Sequence, residues 1–166
     1  MNNKVDYLHN PWAPVKQSIF KDKDQSALVD NQGYIVRPVI TNEAVAELQA
    51  LFRSEHNLST DAGGMFYSVY SQNIDYRKRI HAKIGEILNP ILEGMFENYR
   101  VVLNSFVVKA SGPKSEFYVH QDTTGLDECE YSPLNLWIPL QDVDMQNGCL
   151  GVVPHSHKFF TPYRSI

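Results

Sequence analysis

A helical first part followed by a β-rich second part predicts an α+β domain for this chain of 166 residues. Apolar residues recur with helical spacing in two segments before residue 100, and four runs rich in β-branched and aromatic residues follow. This order favours N-terminal helices that cover an antiparallel sheet, and we expect a double-stranded β-helix, or jelly roll. A jelly roll closes with about eight strands. The four runs supply about half of them, so the predicted sheet is incomplete.

The N-terminal part divides into an arm, residues 1–27, and the start of a domain that spans residues 28–166. The arm is polar and has no sustained period, so we expect it to lie over the domain surface. Residues 33–40 are predicted to form a short strand, and Thr41 is the expected N-cap of a first helix. The apolar face of this helix is formed by Ala44, Val45, Leu48, Leu51 and Phe52.

A second helical period runs over residues 74–99 and is interrupted by Pro90. Because proline cannot donate a helical hydrogen bond, Pro90 should either kink this helix or open another one at its first turn. The β-rich runs that follow are residues 101–108, 117–120, 134–140 and 149–153.

Charge and composition argue against several classes of protein. The net charge is −4 and the basic residues are scattered, apart from residues 77–79, so we expect no nucleic-acid partner. The sequence has neither a secretory leader pattern nor an apolar run long enough to span a membrane, which favours a cytoplasmic protein without a membrane partner. Cys129 and Cys149 have no metal-binding spacing, so we expect two free thiols.

His120 and Asp122 are the main candidates for a metal site. On a strand, residues two apart face the same side, roughly 7 Å apart at Cα, so the imidazole and the carboxylate can converge on one divalent ion. Two histidines and one carboxylate form the facial triad that holds Fe(II) and leaves open positions. The pair would supply two of these three ligands. Taken alone, the spacing is also typical of a surface His and Asp at a strand end.

Three further segments, in order, give this pair its context. They are 106–109 (Phe-Val-Val-Lys), 135–140 (Asn-Leu-Trp-Ile-Pro-Leu) and 147–158 (Asn-Gly-Cys-Leu-Gly-Val-Val-Pro-His-Ser-His-Lys). With them, the chain resembles the phytanoyl-CoA dioxygenase-like family of Fe(II)- and 2-oxoglutarate-dependent oxygenases, from about Gln32 to the C-terminus.

The resemblance implies that His120 and Asp122 are iron ligands and that 2-oxoglutarate is the co-substrate in the hydroxylation of a small organic substrate. By position, it also implies a co-substrate pocket lined by Ser105, Gln121 and Trp137, with Lys109 nearby. For Trp137, a core indole packed between sheets is an equally simple interpretation.

The chain departs from the family pattern after residue 154. The family's distal His, and the Arg that grips the far carboxylate of 2-oxoglutarate, normally lie well beyond the Ser-His-Lys segment, so the resemblance implies a chain that stops before them. Arg164 comes too soon to match. His155 stands where the family usually has Gly, which creates a His-x-His pair with His157.

The remaining histidines leave the third ligand open. His155 or His157 could replace it if their segment were extended, but we expect His157 to bind a backbone group and His155 to be a surface substitution. We expect His9, His56 and His81 to be solvent-facing or interfacial.

Three functions are consistent with these patterns. The first is the dioxygenase. The second is a non-catalytic binding module or inactive relative of the same fold, whose unpaired strand edges would need a partner chain such as a second copy in a homo-oligomer. The third is a cupin-type metalloprotein that uses residues 155–157, although the downstream Glu that such a site needs is absent before residue 166.

Overall fold

The computed structural model describes residues 19–56, 64–122, 125–128 and 130–158, with the side chain of Pro113 left aside. Three helices and a two-stranded sheet form its regular structure. The elements are α1 (Lys23–Gln32), α2 (Asn42–Glu55), β1 (Met65–Tyr67), α3 (Ile74–Met95) and β2 (Val107–Lys109). Short 3₁₀ turns occur at Ser68–Tyr70, Pro113–Ser115 and Ser156–Lys158. None of the described helices is long and apolar enough to cross a membrane.

Helix α1 begins inside the segment predicted to be an arm, and residues 1–18 of that arm lie outside the described part. Asp22 caps the helix, because its side chain accepts hydrogen bonds from the backbone N–H groups of Gln25 and Asp24. These bonds, that of Gln25 first, lower the pKa of Asp22. The helix buries no residue. Its Val29 packs against the core, and both of its ends are capped.

The two histidines of the 155–157 segment close the C-terminal end of α1. The His155 N–H donates to the Gln32 carbonyl at 2.8 Å, and His155 Nδ1 lies 2.7 Å from the Asn31 carbonyl. His157 Nε2 lies 3.0 Å from the Asp30 carbonyl. The last carbonyls of a helix have no partner within it, so these bonds satisfy three of them across more than 120 residues of sequence.

This cap confirms the prediction that His157 binds a backbone group. His155 is exposed, as predicted for a surface substitution, and it also binds two carbonyls of α1. His155 has φ of +64°, a left-handed conformation that glycine adopts more easily. That geometry explains why glycine suits this position. The His157 bond also fixes its tautomer, because only a protonated Nε2 can donate to a carbonyl. Nδ1 is then the bare nitrogen, and it is buried without a hydrogen-bond partner among the described residues.

Helix α2 begins where Thr41 predicts, with the Thr41 side chain accepting from the Ala44 N–H at 3.3 Å. Leu48 of the predicted apolar face is buried, and Leu51 and Phe52 pack against the core. The strand predicted over residues 33–40 is absent, since residues 34–39 belong to no strand. Pro38 within this run cannot donate to a ladder, which makes a strand there unfavourable.

Helix α3 provides half of the buried hydrophobic residues that form the core. Ile80, Ile84, Leu88 and Leu92 follow one another at intervals of four residues and are all buried, as expected for the inner face of a helix. They pack with Phe20, Leu48, Phe96 and Phe106. The helix continues through Pro90, so the alternative in which Pro90 opens a second helix was wrong. Pro90 itself is exposed.

The sheet consists of β1 and β2, which pair antiparallel with Phe66 opposite Val108. The sequence predicts β2 only as part of a longer run, 101–108, and does not indicate β1. Residues 117–120, 134–140 and 149–153 lie outside any strand. Several of their apolar side chains are exposed, Val119 by 88%. A strand needs a neighbour to satisfy its backbone groups, and these runs have none among the described residues. The helices and small sheet agree with a mixed α and β fold, while the jelly roll stays a prediction.

His56 and His81 lie at contacts between elements, which agrees with the interfacial alternative. The His56 ring stacks on Phe52 with centroids 4.4 Å apart, and its Nε2 contacts the Tyr76 hydroxyl. His81 Nδ1 accepts from the Asn104 N–H at 3.0 Å. His9 lies outside the described residues.

Glu55 at the end of α2 is expected to make the folding stability depend on pH. It bonds Arg79 at 2.9 Å and Lys83 at 3.0 Å, and these bonds, that of Arg79 first, lower its pKa from 4.5 to about 2. As pH falls from about 4.5 to about 2, the unfolded chain takes up a proton that the folded chain does not, so stability falls across this window. Because Arg79 and Lys83 are partly exposed, we expect the free energy of unfolding to fall by about 1 kcal/mol across this window.

The measurement is urea unfolding of wild type and Glu55→Gln from pH 7 to pH 2. The variant should be less stable at pH 7, and the difference should disappear toward pH 2. Glu47→Gln, an exposed change on the same helix, is the control. A constant difference between wild type and Glu55→Gln across this range would contradict the ion-pair account.

Gly33 is expected to tolerate no side chain, because it lies under the His157 ring. It has φ of +88°, and a β-carbon there would come within 2.4 Å of His157 Nδ1. We expect Gly33→Ala to lower the free energy of unfolding by at least about 1–2 kcal/mol. Gly94→Ala is the matched control, since Gly94 lies in α3 and a β-carbon added there would meet no atom within 4 Å. It should raise stability by up to about 1 kcal/mol. Equal effects of the two variants in chemical denaturation would contradict the packing of the His157 ring against Gly33.

Candidate metal centre

The side chains of His120 and Asp122 meet, as their spacing predicts. His120 Nε2 lies 3.0 Å from Asp122 Oδ1. Two ligands about 2.1 Å from an octahedral metal, at right angles to each other, lie about 3.0 Å apart. The two donor atoms are therefore already at the separation that neighbouring ligands of one divalent ion require.

The backbone that carries this pair differs from the prediction. Residues 116–122 belong to no strand, and the chain bends at Val119. The His120 side chain is 31% exposed and that of Asp122 57% exposed. The Phe117 ring packs edge-to-face with the His120 ring, with centroids 4.2 Å apart. The two side chains thus converge through local contacts at the surface rather than through the pleat of a sheet.

The contacts of the His120 ring leave the nitrogen that faces Asp122 available for a cation. His120 Nδ1 lies 2.7 Å from the Tyr118 carbonyl, which can only accept, so Nδ1 carries a proton. In the neutral ring, Nε2 is then a bare lone pair that faces a carboxylate oxygen. The Nε2 lone pair and the Asp122 oxygen, 3.0 Å apart, repel each other unless a cation lies between them. A second ring proton or a metal ion would serve, and a histidine held through its other nitrogen is a common arrangement of metal ligands.

Two residues near the pair were not identified from the sequence. The Asn135 amide donates to Asp122 Oδ2 at 2.6 Å. Tyr67, on β1, lies within electrostatic range of Asp122. Burial first, then the neighbouring Tyr70 and the negative charge of Asp122, raise the pKa of Tyr67. Asn135 was noted only as part of a family segment. No spacing pattern connects Tyr67, more than 50 residues earlier, with the pair.

The four predicted co-substrate residues lie in different surroundings. The Ser105 hydroxyl is 3.0 Å from that of Ser68, which is buried. The side chain of Lys109, on β2, runs along Gly148. Gln121 is partly buried between the two candidate ligands in sequence. Trp137 is 46% exposed, so it is not the core indole of the alternative interpretation. Their role toward 2-oxoglutarate stays a prediction.

A third metal ligand is not found in the described part of the chain. No group of three His, Cys, Asp or Glu side chains there could hold a metal ion. His155 and His157 direct ring nitrogens at carbonyls of α1, so the structure supports neither the replacement ligand nor the cupin-type pair. Arg164 and Cys129 lie outside the described residues, and Cys149 is a free thiol as predicted.

Comparison with known proteins identifies the family of this chain. A family model described as phytanoyl-CoA dioxygenase (PhyH) matches residues 29–163. Proteins of this family are in general oxygenases that depend on Fe(II) and 2-oxoglutarate, with a cupin or jelly-roll fold. The match includes His120, Asp122 and all four predicted co-substrate residues.

Two plant proteins show the same similarity over a shorter segment. A protein from Oryza sativa subsp. japonica named phytanoyl-CoA dioxygenase 1 is 38% identical over 58 residues, which are 35% of this chain and 21% of the rice protein. A phytanoyl-CoA dioxygenase from Arabidopsis thaliana is 36% identical over 58 residues, 35% of this chain and 20% of the relative. The aligned segment thus spans about a fifth of each relative's length.

No solved structure matches the chain. Because the family model covers most of its length, the chain belongs to the phytanoyl-CoA dioxygenase family.

Proposed function

We propose that the protein is an Fe(II)- and 2-oxoglutarate-dependent dioxygenase that hydroxylates a small organic substrate. Its family membership supports the class of reaction. The observation that carries the assignment to this chain is the 3.0 Å approach of His120 Nε2 to Asp122 Oδ1. The donor set, one imidazole and one carboxylate, is two thirds of a facial triad for non-haem Fe(II).

The chain's own residues would bind and orient. His120 would offer the metal the lone pair of Nε2, because the Tyr118 carbonyl holds a ring proton on Nδ1. Asp122 would add a negative charge that offsets the positive charge of the metal. Iron, when bound, supplies the activation of dioxygen and of the substrate C–H bond, which no amino-acid side chain can supply.

The co-substrate would be bound by polar and aromatic groups on β2 and on the segments before and after it. We assign this role to Ser105, Lys109, Gln121 and Trp137. Lys109 would offer its ammonium group to a carboxylate as a point charge. Trp137, which is about half-exposed, would offer an apolar ring face.

A non-catalytic binding module or inactive relative is the second candidate. The exposure of Asp122 and the lack of a third ligand among the described residues favour it. Such a protein would bind a divalent metal without turning over 2-oxoglutarate. Metal binding and succinate formation, measured separately, therefore distinguish the two functions.

Substitution of either candidate ligand is expected to abolish turnover. With added Fe(II), ascorbate and 2-oxoglutarate, the wild-type protein should form succinate, and His120→Ala and Asp122→Ala should lose at least about 100-fold of metal affinity and all succinate above background. His157→Ala controls for loss of an unrelated histidine, since its ring contacts α1. Succinate is measured by mass spectrometry and metal affinity by calorimetry.

Metal binding by the wild type without succinate would favour the binding module. Wild-type affinity for iron that survives both ligand substitutions would contradict the assignment of His120 and Asp122.

A further inference from the structure

Asn135 holds one oxygen of the Asp122 carboxylate from a different part of the chain. Its Nδ2 donates to Asp122 Oδ2 at 2.6 Å, a short bond across 13 residues. The other oxygen of the same carboxylate, Oδ1, is the one turned toward His120 Nε2. The two oxygens are thus distinguished by their contacts.

This contact defines how Asp122 can meet a cation. A carboxylate on an exposed side chain can rotate, bind a metal through both oxygens, or turn to other donors. A hydrogen bond to Oδ2 fixes the plane of the group and directs Oδ1 to the position beside Nε2. Charge-assisted bonds of this kind are short and about twice as strong as neutral ones. The amide also carries no charge. It therefore orients the carboxylate without competing with the metal ion for its negative charge, as a lysine or arginine would.

The His120 ring is held in an equivalent way. The Tyr118 carbonyl accepts from Nδ1 at 2.7 Å and orients Nε2. Each candidate ligand is therefore held by an outer partner, the Tyr118 carbonyl for His120 and the Asn135 amide for Asp122. Tyr118 lies next to the pair in sequence, but Asn135 comes from the segment that the sequence predicts as a strand. Asn135 consequently couples the pair to a later part of the chain.

We propose that Asn135 is a positioning residue that holds the Asp122 carboxylate with Oδ1 beside His120 Nε2, where these two atoms would bind the metal. The inference rests on the proposed function, since it assigns a role only if His120 and Asp122 bind a metal. Asn135 itself does not bind the ion. Outer partners of metal ligands typically contribute about 10–100-fold to metal affinity.

The test is a titration with Co²⁺, a divalent ion that is stable in air, on the wild type, Asn135→Leu and Asn135→Gln. Leucine has a similar size but no donor, so we expect about 10–100-fold weaker binding. Glutamine keeps the amide and should recover part of that loss. Asn89→Leu, a change at an exposed position of α3, should leave the affinity unchanged.

Two further measurements separate positioning from a general structural effect. Because Asn135 is exposed, the melting temperature of metal-free Asn135→Leu should equal that of the wild type. In the ¹H–¹⁵N NMR spectrum of the metal-free protein, the Asn135 side-chain amide, identified by its loss in Asn135→Leu, should shift in Asp122→Ala. The Asn89 amide should not shift.

Three results would overturn the inference. Equal Co²⁺ affinity of the wild type and Asn135→Leu would remove the role of Asn135 and leave the proposed function standing. An Asn135 amide signal whose chemical shift does not change in Asp122→Ala would show that the hydrogen bond is not formed. A wild type that binds no Co²⁺ would instead refute the proposed function, and the inference would fall with it.

Discussion

The buried face of α3 is the constraint on which the rest of the described structure depends. Ile80, Ile84, Leu88 and Leu92 form one stripe, and each such side chain contributes about 1.5–3 kcal/mol when it leaves water. Leu48 brings α2 onto this stripe, and Phe106 brings the chain just before β2 onto it. Ser68 then fixes the sheet, because its backbone N–H donates to the Phe106 carbonyl and its hydroxyl accepts from the Phe106 N–H, both at 2.9 Å.

The candidate metal centre lies outside this core and is organised by polar contacts. Phe117 and Tyr118 orient the His120 ring, and Asn135 orients the Asp122 carboxylate. The exposure of the two side chains means that water competes with each of these bonds. A metal ion would add the strongest interaction in this region, since it would join the two donor atoms directly. The centre and the core therefore differ in what stabilises them.

The helices of the core and the approach of His120 to Asp122 could be predicted from the sequence. A period of 3.6 residues and the Thr41 cap locate α2, and the same period locates α3. The pair follows from its spacing and from the family segments around it. Helix α1 could not be predicted, because it buries no residue and its far end is capped by His155 and His157 from the other end of the chain.

The strands and the Asn135 contact could not be predicted either, because both depend on which segments of the chain meet. A run of β-branched residues indicates that a segment would suit a sheet, but a strand forms only beside a neighbour, and sequence does not reveal which neighbour is present. β1, with three residues, is too short to show a period. Asn135 and Asp122 lie 13 residues apart without regular structure between them in the part of the chain that the structure describes, and no periodic pattern links such positions.

The direct test of the central claim, that His120 and Asp122 bind one metal ion, is pulsed electron paramagnetic resonance of the Mn²⁺-loaded protein with ¹⁵N-labelled histidine. Our account predicts a ¹⁵N coupling from a directly bound imidazole that disappears in His120→Ala and remains in His157→Ala. Bound Mn²⁺ without histidine coupling, or a coupling that persists in His120→Ala, would contradict it.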